Sequence, residues 1–132
     1  MTQKNNTAAN INMTASLEDY LEAVFVLSGS NREVRLTDIA AMLGVSKPSA
    51  NRAVNTLTQN GFLKHEAYGA ITLTPEGETY AASVLHRHKL LKHFLNNTLG
   101  VNEKTAEEDA CKMEHVMSAE TINKLYEYLE RQ

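Results

Sequence analysis

Apolar residues recur at helical spacing along most of the chain, interrupted by one short interval of strand-like character. In "SLEDYLEAVFVLSGS", Leu17, Tyr20, Leu21, Val24, Phe25 and Leu27 mark one face of a helix over about 16–28, closed by Gly29. Ser16, with Asp19 three residues on, resembles a capping box, although Asp is less usual there than Glu or Gln. The stretch "RLTDIAAMLGVSKPSANRAVNTLTQNGFL" divides into a short helix capped by Thr37, a turn at Gly44 and Val45, and a second helix. Ser46 opens that second helix, Pro48 sits in its first turn and Gly61 closes it. Ile39, Ala40, Leu43, Val45, Ala50, Val54 and Leu57 form, with the first helix, a small three-helix core. This is a helix-turn-helix pattern, and it leaves Lys47, Ser49, Asn51 and Arg52 exposed at the start of its second helix.

"FLKHEAYGAITLT" then reads as two short strands around Tyr68, Gly69 and Ala70, and a hairpin directly after a helix-turn-helix is a wing. Thr74, Pro75 and Glu76 start a long helix that Gly100 ends. Two further helices are predicted near 103–116 and 118–130. Residues 1–14, rich in Asn and Thr and poor in large apolar groups, read as a disordered arm. The division expected is therefore an arm over 1–14, a winged helix-turn-helix over 15–75 and a helical domain over 76–132. The fold class is mostly α with one small β-hairpin.

Composition narrows the setting. At 132 residues the chain is long enough for one domain or two very small ones, and a single cysteine permits no internal disulfide. The first residues show neither an apolar signal core nor an Arg-rich amphipathic pattern, and the longest apolar run, "YLEAVFVL", is broken by Glu22. A reducing, cytoplasmic setting with no membrane span is expected. The formal net charge of −3 argues against a nucleic-acid partner until its distribution is considered. Between residues 32 and 65, Arg32, Arg35, Lys47, Arg52 and Lys64 face only Glu33 and Asp38, a net +3. From 100 to 132 eight acids face four bases, a net −4. A basic half joined to an acidic half suits one polyanion-binding lobe and one cation-binding or merely solvated lobe.

The candidate chemistry lies mainly in the acidic half. On a helix over 103–116, Cys111, Glu114 and His115 stand at i, i+3 and i+4, so their side chains converge on one face and suit a metal. The same triplet is also what a buried cysteine beside two solvated polar residues looks like, and alone it does not decide. Asp19 and Glu22 repeat the i, i+3 arrangement on the first helix but read equally as surface acids near a helix N-terminus. His88 in "LHRHKLL" is one of several helical histidines. No Gly-rich cofactor loop or nucleophile elbow is present, which disfavours an enzyme. A winged-helix regulator of an organic ligand is a second rival, in which these residues coincide by chance.

The order of these segments resembles the metal-dependent repressors of the diphtheria-toxin-repressor and manganese-transport-regulator family. The resemblance is carried by "SLEDYLEAVFVL", "VRLTDIAAMLGVSKPSANRAVNTL", "ITLTPEGETYA", "RHKLLKHFL", "LGV" and "DACKMEHVMSAET", nearly the whole chain after the arm. It implies a winged-helix DNA-binding lobe, a helical dimerisation lobe, and a metal that bridges them and represses metal-uptake genes. Carried over by motif, Asp19, Glu22, His88, Cys111, Glu114 and His115 are the ligand candidates, with Glu107 and His88 assigned to a second ion. Manganese-type members have a carboxylate where this chain has Cys111; iron-type members have the cysteine but usually methionine in place of Asp19. The mixture of thiolate and hard oxygens suits Fe(II) first and Mn(II) next, with Co(II), Ni(II) and Zn(II) able to substitute in vitro. At the second-ion position the residue four after His88 is Lys92, a cation that repels metal. The SH3-like third domain of longer iron-type members is not expected.

The resemblance also nominates DNA contacts and a dimer. Ser46, Lys47, Pro48, Ser49, Asn51 and Arg52 would enter the major groove, with Arg35, Lys64, His65 and Tyr68 against the backbone. A homodimer would place two such helices about 34 Å apart on palindromic double-stranded operator DNA. Leu91, Phe94, Leu95, Ile122, Leu125 and Leu129 are its expected core, with packing inside one subunit as the alternative.

Overall fold

A computed structural model describes residues 13–30, 33–67 and 69–132. The arm expected over 1–14 thus lies largely outside the described residues, as do Arg32 and Tyr68. The chain forms two compact units that divide between Ala82 and Ser83.

The first unit contains α1 (Ala15–Ser28), α2 (Leu36–Leu43), α3 (Lys47–Gln59), the strands β1 (Leu63–His65) and β2 (Ile71–Leu73), and the start of α4 (Pro75–His93). Its core gathers Leu21 and Val24 of α1, Ile39 of α2, Val54 and Leu57 of α3, and Phe62, Leu63 and Ile71 of the hairpin, all essentially without exposed surface. These are the positions that the helical and alternating patterns select, because one face of each element must leave water. The strands pair antiparallel with Leu63 opposite Leu73 and His65 opposite Ile71, and Val34 adds an isolated bridge to Ile71.

Helix boundaries differ from the sequence reading at two caps. Thr14, not Ser16, caps α1, its hydroxyl accepting from the Leu17 amide at 3.1 Å, while Met13 packs against the core. For α2 the expected cap Thr37 lies inside the helix; the chain is extended at Arg35, whose amide donates to Asp38 Oδ2 at 2.9 Å. An Asp three residues into the helix satisfies the same orphan amide that a capping-box Glu would. Gly44 ends α2 with a left-handed φ of 67°, and Ser46 caps α3 by accepting from the Ser49 amide.

The second unit contains the end of α4, a π-helical turn over Phe94–Thr98, α5 (Glu103–Met113) and α6 (Ala119–Glu130). Leu90, Leu91, Ala110 and Ile122 form its core, with Met113, Met117, Leu125 and Leu129 half-buried against them. Leu91, expected at a dimer contact, has no exposed surface, and Leu95 and Ile122 are also buried within the single chain. Large apolar groups left exposed on this unit are Leu99, Val116, Tyr126 and Tyr128. Among the described residues no helix is long and apolar enough to cross a membrane.

Candidate metal centre and nucleic-acid interface

Five of the seven nominated ligands come together in the second unit around His88 of α4. Its Nδ1 lies 2.7 Å from Glu114 Oε1, and its Nε2 lies 3.1 Å from Glu107 Oε1 and 3.0 Å from Oε2. Glu107 and Cys111 are one turn apart on α5, and the thiol approaches Glu107 Oε2 at 3.8 Å. His115 Nε2 is 3.7 Å from Glu114 Oε2. Ligand atoms of His88, Glu107 and Cys111 all lie within 4.8 Å of one another. One imidazole nitrogen, one carboxylate oxygen and one sulfur at that spacing fit a first-row divalent ion, whose ligands must converge to within a few ångströms.

The local fold corrects the helical triplet. α5 stops at Met113, Glu114 follows as its C-cap with its amide on the Ala110 carbonyl, and His115 lies in the turn towards α6. The cause is the start of the next helix. Ser118 is extended so that its hydroxyl can cap α6 at the Thr121 amide, and a helix cannot run unbroken into such a residue. Cys111, on α5, is exposed beside Glu107, whereas the Glu114 and His115 side chains are only 1% and 6% exposed. The packed cysteine considered as an alternative is therefore not what the structure has, and Glu107, assigned only to a second ion, sits with Cys111.

Electrostatics match this arrangement. Burial, the largest single influence on His88, works against its charge, but the hydrogen bonds and charges of Glu107 and Glu114 outweigh it and raise its pKa above 6.5. For Glu107 burial likewise pushes upward, and the hydrogen bonds from His88 and Lys92 outweigh it, leaving the carboxyl below 4.5. The ring thus bridges two carboxylates.

Asp19 and Glu22 lie one turn apart on α1 of the first unit, Asp19 exposed and Glu22 half-buried. Next to Asp19 on the same helix is a group that the sequence reading missed. Glu18 is 6% exposed and accepts a 2.7 Å hydrogen bond from the Tyr80 hydroxyl of α4. An acid in the first turn of an amphipathic helix gives no sign of such a distant partner.

On α3, Ala50, Ala53, Val54 and Leu57 face the core, so Lys47, Pro48, Asn51 and Arg52 are exposed, and Asn55 extends the same surface by one turn. Asn55 was not among the nominated residues, although its spacing from Asn51 could have found it. Ser49 is half-buried, and its hydroxyl accepts from Arg52 Nη2 at 3.3 Å and meets the Ser46 hydroxyl at 3.0 Å. Lys64 points outward from β1, and Arg35 is exposed with a 3.3 Å ion pair to Glu33.

Comparison with known proteins agrees with this layout. Residues 12–71 match the family described as "Iron dependent repressor, N-terminal DNA binding domain", and residues 74–131 match "Iron dependent repressor, metal binding and dimerisation domain". The chain is 37% identical over 120 residues to an uncharacterised HTH-type transcriptional regulator of Methanocaldococcus jannaschii, covering 90% of this chain and 96% of that one. It is 35% identical over 112 residues to the HTH-type transcriptional regulator MntR of Lysinibacillus sphaericus, covering 85% and 80%. Among solved structures, the manganese regulator SloR superposes with a TM-score of 0.78 at 27% identity, over 88% of this chain and 54% of that one. IdeR of T. acidophilum superposes at 0.74 and 27%, over 86% and 53%. The chain thus spans about half the length of these two solved proteins and most of the curated relatives. The sequence therefore belongs to the family of metal-dependent transcriptional repressors that includes the diphtheria toxin repressor and the manganese transport regulator.

Proposed function

We propose that this chain is a divalent-metal-dependent transcriptional repressor that binds operator DNA as a homodimer and answers to Fe(II) first and Mn(II) next. The observation that carries the reading is the cluster of His88, Glu107 and Cys111, with Glu114 on the second ring nitrogen of His88, in a chain that also has a winged helix-turn-helix. Cys111 supplies a soft donor and the carboxylates hard ones, a mixture that Fe(II) tolerates well and Mn(II) less well. Asp19 and Glu22 stay in the proposed ligand set on the strength of their motif, as further oxygen donors. When bound, the metal supplies positive charge and fixed coordination to side chains that are otherwise held by hydrogen bonds to one another.

Within the chain, Glu114 and Glu107 orient the His88 ring, and Lys47, Asn51 and Arg52 offer donors to phosphates and base edges. The operator is proposed to be palindromic, because a C2 dimer presents two identical recognition helices. Metal can shift this protein only by its preference for the DNA-competent arrangement, so binding must depend on free metal and not on metal history. The test is operator affinity measured anaerobically with chelator and then with Fe(II) or Mn(II). Tighter binding by about tenfold or more on metal addition is expected, and affinity indifferent to both metals rejects the reading.

A further inference from the structure

Lys92 brings to the cluster a positive charge that opposes a cation. It lies one turn after His88 on α4, and its Nζ is 3.3 Å from Glu107 Oε1 and 3.7 Å from Glu103 Oε2. Glu107 is thus engaged on several sides: His88 Nε2 near both oxygens, Lys92 at Oε1 and the Cys111 thiol at Oε2. Glu103, Glu107 and Cys111 stand at i, i+4 and i+8 on α5, so their side chains form one stripe beside the ammonium.

A divalent ion held by His88, Glu107 and Cys111 has to share Glu107 with this ammonium or expel it. Sharing is unfavourable, because a fixed positive charge a few ångströms from a doubly charged ion repels it and weakens the carboxylate as a donor. Expulsion has a route, since Glu103 is 78% exposed, already in reach, and the lysine stem is long and flexible. We infer that Lys92 is a built-in competitor for the metal at Glu107, and that it raises the free divalent-ion concentration at which the cluster fills. The same residue stabilises the metal-free cluster by balancing Glu103 and Glu107. Lys92 is therefore a threshold residue, not a ligand, and this role rests on the metal-binding reading of the site.

The test is an anaerobic titration with Co(II), whose thiolate charge-transfer absorption reports coordination by Cys111, on the full chain and its variants. Lys92→Met and Lys92→Gln should bind Co(II) about ten- to a hundredfold tighter, a range set by a unit charge at this distance and reduced for partial exposure. Lys92→Arg keeps the charge and should stay near the original affinity. Lys89→Met, an exposed lysine of the same helix, should not change it. Thermal unfolding followed by circular dichroism supplies the second readout. In chelator, Lys92→Met should melt no higher than the original chain, yet Co(II) should raise its melting temperature by more. If the original chain titrates with Co(II) while both neutral variants bind equally or more weakly, the Lys92 inference is overturned and the metal site stands. If the original chain shows no Co(II) absorption at all, both fall.

Discussion

His88 is the residue on which the candidate centre turns, and it makes the metal-free protein sensitive to pH in a definite direction. Its folded pKa is raised above 6.5, so the stabilisation from its two carboxylates is fully present below that value and is lost as pH rises through the folded pKa. Glu107 has the opposite sign: its pKa is lowered below 4.5, so its contribution is present above 4.5 and is lost as pH falls through the folded value. In chelator, the melting temperature should decline as pH is raised from about 6 to 9, and His88→Gln should flatten that decline. A melting temperature that climbs over this range, or a variant with the same slope, contradicts the bridge. Much of this was not legible in the sequence. His88 was one helical histidine among several, and its two partners are 19 and 26 residues away on a separate segment. Cys111 misled in the other direction, because free cysteines are usually buried and this one is exposed.

Among the described elements, periodicity located the six α-helices and both strands, because a 3.6-residue or two-residue apolar repeat is imposed by burying one face. Ends were less legible. A cap is set by one hydroxyl or carboxylate, and several candidates stood near each start: Thr14 competed with Ser16, and Asp38 with Thr37. The end of α5 carried neither Gly nor Pro, so the apolar pattern ran on to residue 116 although the helix stops at Met113. Nor did any residue announce the π-helical turn after α4, where the Asn96 side chain donates to the Val101 carbonyl and Gly100 takes a φ of 77°. Gly77, in the first turn of α4, is a further case. A Cβ added there would run into the Phe62 carbonyl oxygen. Helix propensity alone favours Gly77→Ala by up to about 1 kcal/mol. Overpacking against backbone works against it, and the variant should lose about 1–3 kcal/mol net. Denaturant midpoints measure this, and a stabilised variant would show that α4 starts with room to spare.

At the scale of the molecule, charge is segregated as the sequence indicates, with the exposed cations Lys47 and Arg52 on α3 and the acids concentrated on α5 and α6. Lys47→Ala and Arg52→Ala should each lower the salt dependence of operator binding by about one unit of slope if each neutralises one phosphate. An unchanged slope with weaker binding would instead assign the residue to a base edge. The two-part architecture was legible because the resemblance spans both parts, and the sequence reading divides them at 75/76, where the long helix begins. Compactness divides the chain inside that helix, after Ala82. Helical periodicity runs through the point without a break, so no pattern marks it. Thr74 settles what happens at the other boundary. Its hydroxyl donates to the Gly61 carbonyl at 2.6 Å and accepts from the Gly77 amide at 3.0 Å, while its own amide donates to the Phe62 carbonyl. In polymer terms the wing is a ring sealed at its base. Closing a loop whose ends, Gly61 and Thr74, are 13 positions apart takes about 2 kcal/mol of chain entropy, already lost in the free protein. A surface that the wing grips therefore meets a base whose chain entropy is already spent.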